Sequence, residues 1–549
     1  MSGASAIVEC MKREGIEHVF CVPGESYLPL MDSIYESKTI QLISTRHEGG
    51  AAFMAEAYGK ATRKPGIAMA TRAVGGANLA IGIHTAYQDS TPMVVFLGQV
   101  HSKFRGREGF QEVELDQFFR HIAKWTVEIK DVERIPELVQ RAFRIAKSGR
   151  PGPVVVALPE DVLVAEAEMS FGPVAPVPAP RPGVQEVEAV RRLLEKAERP
   201  LILAGGGVIA ANGEQALIQL AEKFKIPVMA SFRRHDVFPN HHELYVGHSG
   251  LGTFAPVLDT MREADLVLAI GTRLSEVTTQ DYAIFSQNQK LVHIDIEYET
   301  LGKVYSPTIG IVADAKEALE AFINTSVNNT WEQWAKERRE AYERAGNHVA
   351  KEEKHSVDNR EIIRILQNTL PEDTIITNDA GNFAGWLHSF YSFNRTKTYI
   401  GPTSGAMGYG LPAAIGAKVA QPGKVVVSLS GDGGFMMTVQ ELETAARYKI
   451  PVIALVFNNS MYGTIRMHQE MHYPERVIGT DLNNVNFASL GASLGVKSFR
   501  ATTHKEFQEA LECSLMADYP VVIEIMTNPE RISVQETIES IREKSKQHM

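Results

Sequence analysis

A chain of 549 residues with 44% hydrophobic and 22% charged residues is long enough for about three or four domains, each with its own core. Its formal charge of -10 argues against nucleic-acid binding as the main task, and Cys10, Cys21 and Cys513, widely spaced and odd in number, exclude a disulfide framework or a Cys-rich zinc site. Met1 to Gly15 has no secretory apolar core, and no stretch nears the roughly 18 apolar residues of a membrane span, so a cytoplasmic protein without membrane or nucleic-acid partners is expected.

From the N-terminus, the apolar runs HVFCV, PGIAMA, PMVVFLG and PVVVALP alternate with amphipathic stretches and read as strands of a first domain, residues 1–170. Residues 171–188 begin with FGPVAPVPAPRPG, where repeated proline removes backbone donors and holds the chain extended, as in a linker. A middle domain, 189–335, carries PLILAGG, LVLAIG and LVHIDI, and a charged helical connection, 336–355, leads to a third domain, 356–549. That domain carries TIITND, KVVVSLS, PVIALVFNN and PVVIEIM. Strands alternating with helices imply right-handed crossovers, hence an α/β fold of three consecutive doubly wound parallel sheets. Domains one and three have a similar texture, which leaves a shared topology open.

In the first domain, Arg46-His47-Glu48-Gly49-Gly50 precedes a helix rich in small residues, AAFMAEAYGKAT. Taken alone, Glu48 is a carboxylate near a helix N-terminus, where its charge is favourable. In the middle domain, Ala204-Gly205-Gly206-Gly207, Gly271-Thr272-Arg273 and His293-Ile294-Asp295-Ile296 follow or end strands, as in dinucleotide sites, but the full GxGxxG pattern is missing. FAD is an open alternative there.

The third domain is the most informative. In KVVVSLSGDGGFMMTVQELETAARYKIPVIALVFNN a strand ends at Gly431-Asp432-Gly433-Gly434, a helix follows, and a second strand ends at Asn458-Asn459. Ligands of doubly wound sheets bind outside the carboxyl ends of strands, which puts Asp432 and Asn459 side by side at one rim. The glycines let amides approach an anion, and the carboxylate and side-chain amide offer hard oxygen ligands to Mg²⁺. GDG alone reads equally well as a plain turn with Asp432 at the helix start.

GDGG followed 27 residues after Asp432 by Asn459 and then by Ser460-Met461-Tyr462-Gly463 resembles the diphosphate motif of thiamine diphosphate enzymes. The resemblance covers essentially the whole chain and is closest to the acetolactate synthase group. It implies a pyrimidine-binding first domain, a central domain and a diphosphate-binding third domain, with Asp432, Asn459 and the Met461 carbonyl holding Mg²⁺. It also implies that Glu48 activates the cofactor through its aminopyrimidine, and that Met407, with Gly405 in SGAMGYGLPAAIG, lies beneath the cofactor's rings. Pro23, Gly24, Thr71 and Asn78 match the pyrimidine side. Ala380, Gly381, Asn382, Gly431, Gly433, Gly434, Tyr462, Gly463 and Thr464 join the implied cofactor contacts. Glu48 and Asp432 come from domains that must face each other, and the resemblance implies that they do so across a subunit interface, in a homodimer or homotetramer.

Phe110-Gln111 in FQEV resemble substrate-side residues of acetolactate synthases, whereas several positions depart from the group. Ala73-Val74-Gly75 replaces the usual Gly-Pro-Gly, which puts that loop's shape in question. Glu25 stands where those synthases have a small residue and simple decarboxylases an acid; it reads equally as a donor that protonates an intermediate and diverts it to aldehyde release, or as an exposed loop carboxylate. His468 replaces a tryptophan that favours a larger second 2-oxo acid, and Glu160 replaces a lysine. The expected reaction is decarboxylation of a 2-oxo acid, pyruvate or a close analogue, with carboligation to a second carbonyl. A non-ligating decarboxylase or lyase, a flavin-dependent oxidoreductase, and a regulatory subunit without turnover remain alternatives. His468-Gln469-Glu470-Met471-His472 has Gln469 where the zinc-protease pattern needs Glu directly after the first His, and His241-His242 lacks partner ligands at metal spacing, so neither pair is expected to bind a metal.

Overall fold

In the computed structural model, which describes residues 1–346 and 356–548, apolar β-branched runs buried on both faces form parallel strands. In the first sheet, β1 (His18–Cys21), β2 (Gln41–Ser44), β3 (Gly66–Thr71), β4 (Met93–Gln99), β5 (Trp125–Glu128) and β6 (Pro153–Pro159) lie in the order β2-β1-β3-β4-β6-β5. The second comprises β7 (Pro200–Ala204), β8 (Val228–Ala230), β9 (Tyr245–His248), β10 (Leu266–Ile270), β11 (Lys290–Asp295) and β12 (Ile309–Val312), ordered β12-β11-β10-β7-β8-β9. The third comprises β13 (Ile375–Asn378), β14 (Tyr399–Ile400), β15 (Val426–Gly431), β16 (Ile453–Asn458), β17 (Lys497–Ala501) and β18 (Val521–Met526), ordered β14-β13-β15-β16-β18-β17.

Every apolar run named from the sequence forms a strand, so the three-sheet α/β expectation holds. Counted within each unit, the first and third sheets share one strand order, whereas the middle sheet has the dinucleotide-fold order. The strands the apolar reading did not mark are short or lie at edges: β2, β5, β9, β12, β14 and β17 are edges, and β8 has three residues. The edges β2, β5, β12 and β17 leave side chains partly exposed, so their sequences are less apolar, whereas β9 and β14 are buried but only four and two residues long.

A single core joins the first and third units. Helix Glu48–Thr62 lies against helix Gly410–Ala420, with Ala51, Ala52 and Ala55 on one and Ala413, Ala414 and Ala417 on the other, all buried. The approach is so close that a Cβ on Gly416 would lie 2.2 Å from the Met54 carbonyl oxygen. Beside it, the three units meet in a buried polar network. Lys60 Nζ lies 3.0 Å from Glu56 and 3.1 Å from Asp89, Arg234 lies 3.0 Å from Asp89, and the Tyr409 hydroxyl donates to Glu56 at 2.5 Å. Burial works to raise Asp89, but Lys60 and Arg234 bring it down to about 2.

The charged stretch expected as a connection forms a helix, Glu332–Gly346, docked on the middle unit: Trp334 Nε1 donates to the Pro200 carbonyl, and Arg339 donates to the carbonyls of Asn240, His242 and Tyr245. The remainder of that stretch, 347–355, lies outside the described residues. Among the described residues, no helix is long and apolar enough to cross a membrane.

Candidate active site

Two rims carry the candidate residues. At the first, Glu48 opens helix Glu48–Thr62, after the N-cap His47, whose side chain accepts from the Gly49 N–H. Glu48 Oε2 accepts from Asn78 Nδ2 at 2.9 Å. Asn78 lies on helix Arg72–Asp89, which follows Thr71, the last residue of β3. A Cβ on Gly24 would lie 2.7 Å from Thr71 Cβ, so Pro23-Gly24, after β1, and Thr71, at the end of β3, form one surface. The Ala73-Val74-Gly75 departure is accommodated as the opening of this helix. Gly75 is needed there, because a Cβ would stand 3.0 Å from Ala70 Cβ and 3.1 Å from Glu48 Oε1.

The substrate-side candidates converge on Arg72, which the sequence reading did not single out. Arg72 has φ +42, donates through a terminal nitrogen to the Phe110 carbonyl at 3.1 Å, and pairs with Glu160 at 2.5 Å. Glu25 stands 3.8 Å from it. Gln111 has φ +62, a costly conformation for a side-chain-bearing residue, and among the described residues neither its buried Oε1 nor the buried Arg72 Nε has a hydrogen-bond partner.

At the second rim, β15 and β16 pair in parallel with Gly431 opposite Phe457, so Asp432 and Asn459 leave adjacent strand ends. Asp432 is 5% exposed, and its Oδ1 accepts from the Gly433 N–H at 2.8 Å. Burial raises this carboxyl to about 6, opposed by the backbone N–H groups of Gly433, Ser460, Met461 and Asn459. Among the described residues it has no ion-pair partner. Asn459 Oδ1 accepts from the Met461 N–H at 3.3 Å, and Tyr462 N–H donates to Thr480. Thr464 donates to Asn382 Oδ1 at 2.9 Å, joining the Ala380-Gly381-Asn382 turn to the start of helix Gly463–His472. Gly405 has φ +69 and an added Cβ there would meet nothing, so the half-buried Met407 follows a loop facing open space.

Asp379 is a second residue the sequence reading missed. Fully buried after β13, it accepts the N–H groups of Ala380, Gly408 and Tyr409, and a Cβ on Gly434 would lie 2.6 Å from its Oδ2. It therefore pins the Met407 loop against the GDGG turn, and burial raises its carboxyl to about 7. A buried Asp after a strand has no distinguishing sequence signal, because TIITND reads as an ordinary strand end.

No hydrogen bond or ion pair among the described residues joins Glu48 to Asp432, Asn459 or Met461. Exposed apolar side chains flank both half-sites: Val74, Ile81 and Phe110 beside the first, and Met436, Met437 and Ile465 beside the second. His242 pairs with Glu222 at 3.2 Å, and His468 and His472 stack along their helix.

Where the three units meet, a cavity of about 650 Å³ is lined by the glycine turns Gly206-Gly207 and Gly271, by Arg273 and Arg63, and by Asp295 and Asp314. Asp295, at the end of β11, is raised to about 6 by burial.

Three family models match the chain: the N-terminal thiamine pyrophosphate-binding domain over residues 1–118, the central domain of thiamine pyrophosphate enzymes over 187–322, and their C-terminal thiamine pyrophosphate-binding domain over 379–525. The chain is 34% identical to a probable acetolactate synthase large subunit of Methanocaldococcus jannaschii and 32% identical to the acetolactate synthase large subunit of Lactococcus lactis subsp. lactis. Each alignment covers 96% of this chain and 92% of the relative.

Proposed function

Because the chain belongs to the thiamine diphosphate enzyme family, in its acetolactate synthase-like group, we propose that it decarboxylates a 2-oxo acid, pyruvate or a close analogue, and joins the retained acyl unit to a second carbonyl. The observation that supports this most is Asp432, a buried carboxylate without a cationic partner among the described residues, at a rim shared with Asn459 and Met461. Desolvation makes its charge costly, and a divalent cation there removes that cost. The donors fit Mg²⁺ bound through one carboxylate, one side-chain amide and one main-chain carbonyl, with a diphosphate supplying further oxygens. Thiamine diphosphate, when bound, supplies a nucleophilic carbon and an electron sink for CO₂ loss.

The chain's own residues divide the remaining work. Asp432, Asn459 and the Met461 carbonyl hold the metal and thereby the diphosphate, with Gly431, Gly433, Gly434, Tyr462, Gly463 and Thr464 shaping the turn. Met407 supports the cofactor's rings. Glu48, oriented by Asn78, accepts or holds a proton at the pyrimidine edge, while Pro23, Gly24 and Thr71 wall that side. Glu25 supplies a proton near the reacting carbonyl, and Phe110 and Gln111 face the substrate. Residues 1–170, 189–335 and 356–549 serve as pyrimidine, central and diphosphate units.

Because no hydrogen bond or ion pair among the described residues joins the two half-sites, and each is flanked by exposed apolar side chains, the working unit in this reading is a homodimer or homotetramer in which one copy's Glu48 completes another copy's diphosphate site. The glycine turns, arginines and terminal acids of the 650 Å³ cavity suit a nucleotide, and FAD is the candidate occupant. A cytoplasmic location follows from the same reading.

The test is incubation of the full chain with thiamine diphosphate, Mg²⁺ and a panel of 2-oxo acids, with products identified by NMR. Release of CO₂ with a 2-hydroxyketone product supports ligation. Aldehyde as sole product favours the simple decarboxylase, and no CO₂ from any 2-oxo acid overturns the proposal. A colourless purified protein without flavin fluorescence removes FAD.

A further inference from the structure

We infer that three buried histidines make the junction between the middle and third units an acid-sensitive latch, which takes up protons in mild acid and frees the segment after β8 from the third unit. The inference is independent of the reaction proposed above. His235, in the turn after β8, is 1% exposed, and its ring lies between two others. It stacks on His388 of helix Ala384–Phe390 with centroids 4.3 Å apart and meets His248, the last residue of β9, edge-on at 4.4 Å. Tyr399 and Phe393 lie beside it at 5.2 and 6.0 Å. One imidazole of the middle unit is thus inserted among aromatic side chains of the third.

Neither ring nitrogen of His235 has a hydrogen-bond partner among the described residues. A charged imidazole needs an acceptor at both nitrogens, and burying one without them is costly. The adjoining charges do not help. Arg233 and Arg234 on the same turn are cations, the first donating to Asn378 Oδ1 at 3.4 Å and the second pairing with Asp89. The carboxylates nearby are already matched: Asp236 by the N–H groups of Thr398 and Tyr399, Asp89 by Lys60 and Arg234, and Asp379 by the N–H groups of Ala380, Gly408 and Tyr409. From the third unit the Tyr399 hydroxyl, 2.9 Å from His388 Nε2, donates to Asn378 Oδ1 at 2.6 Å. Burial, the other two histidines and the two guanidiniums hold His235 well below the usual histidine range. Burial, Arg233 and His248 do the same to His388, and burial takes His248 to about 4.

Proton uptake therefore requires the junction to open. An exposed imidazole titrates at about 6.5, so below that pH each histidine released by opening gains a proton, and the opening equilibrium shifts about tenfold per pH unit for each. Above that pH the junction keeps its full stability. Few bonds oppose the opening: besides those to Asp236, the Asn240 N–H donates to the Phe393 carbonyl at 3.1 Å and the Phe393 N–H to Asn240 Oδ1 at 2.9 Å. The loosened parts matter elsewhere. Ser231, Arg234 and Asp236 line the cavity where the three units meet, and Asn378, which Arg233 and Tyr399 both hold, precedes Asp379, the pin of the Met407 loop.

The experiment is amide hydrogen exchange of the full chain from about pH 7.5 to about pH 5, read by mass spectrometry and corrected for the intrinsic pH dependence of exchange. Peptides holding the Asn240, Phe393, Thr398 and Tyr399 amides should keep constant protection down to about pH 6.5 and then lose about tenfold or more per pH unit, while peptides of β4 stay protected. His235→Phe keeps an aromatic ring in the stack and removes its nitrogens, so this slope should fall by about tenfold per pH unit. His248→Phe carries the same expectation, and the wild-type profile decides by itself should neither variant fold. Junction protection that holds down to about pH 5, or that falls only together with that of β4, overturns the inference. So does a folded His235→Phe protein with the wild-type slope.

Discussion

Glu441 accepts the backbone N–H of His47 at 3.0 Å, so a buried acid of the third unit grips the residue immediately before Glu48 of the first. The same carboxylate accepts from the Arg46 N–H at 3.3 Å and from the Thr444 hydroxyl at 2.7 Å, and a Cβ on Gly50 would stand 2.5 Å from its Oε1. Glu441 follows the GDGG helix Asp432–Thr438 in the chain. Within one chain the loop that presents Glu48 is therefore anchored to the element that continues the diphosphate turn.

This anchor gives stability a pH dependence. Burial raises Glu441 from 4.5 to about 7, against the Thr444 hydroxyl and the two backbone donors. The folded state then binds the proton more tightly than the unfolded state, so the contribution is fully present below pH 4.5 and is lost as pH rises through about 7. Glu441→Gln is expected to flatten the fall in urea midpoint across that window, by at most about 3 kcal/mol. Identical slopes in variant and wild type would show that the carboxyl does not titrate there.

Glu48→Gln should leave folding and thiamine diphosphate affinity intact, because the diphosphate rim lies elsewhere, and should cut CO₂ release by about 10²-fold or more. Cofactor titration by fluorescence, run beside steady-state turnover, separates the two effects. Wild-type turnover in this variant would remove Glu48 from the chemistry.

For Asp432→Ala the expected pattern is reversed. The carboxylate proposed for Mg²⁺ disappears, so metal and cofactor affinities should fall together by more than tenfold. Calorimetric titration with Mg²⁺ and thiamine diphosphate measures both, and unchanged binding would count against the metal assignment.

Gly416→Ala tests the helix contact between the first and third units. The new methyl would collide with a main-chain oxygen, which cannot rotate away as a side chain can, and the cost should be about 2 kcal/mol or more. Thermal unfolding is expected at a lower temperature than in Gly423→Ala, where an added Cβ meets nothing. Equal melting temperatures would mean that the helices separate without cost.

Much was legible in the linear pattern. The apolar runs mark the interior strands because a parallel strand buried on both faces must be continuously apolar, and GDGG with Asn459 marks one rim because a strand, a turn and a second strand of one βαβ unit are close in sequence. Residues whose work is done between segments distant in the chain left no such trace. Asp379, Glu441, Glu56 and Arg72 are ordinary acids and a base at ordinary positions, and each gains its role from a partner tens or hundreds of residues away. The departure at Ala73-Val74 likewise acquires meaning only when it is seen to open a helix.

The sequence alone determined the class of chain, its three-sheet α/β organisation and its family, since length, apolar alternation and a short glycine-acid-asparagine motif are local properties. Tertiary structure alone decided that the first and third sheets share an order, that Glu441 holds the Glu48 loop, and that Arg72 meets Glu160 and the Phe110 carbonyl. Hydrogen bonds and Coulombic pairs act over a few ångströms of space, and separation along the chain says little about that distance until the sheets are packed.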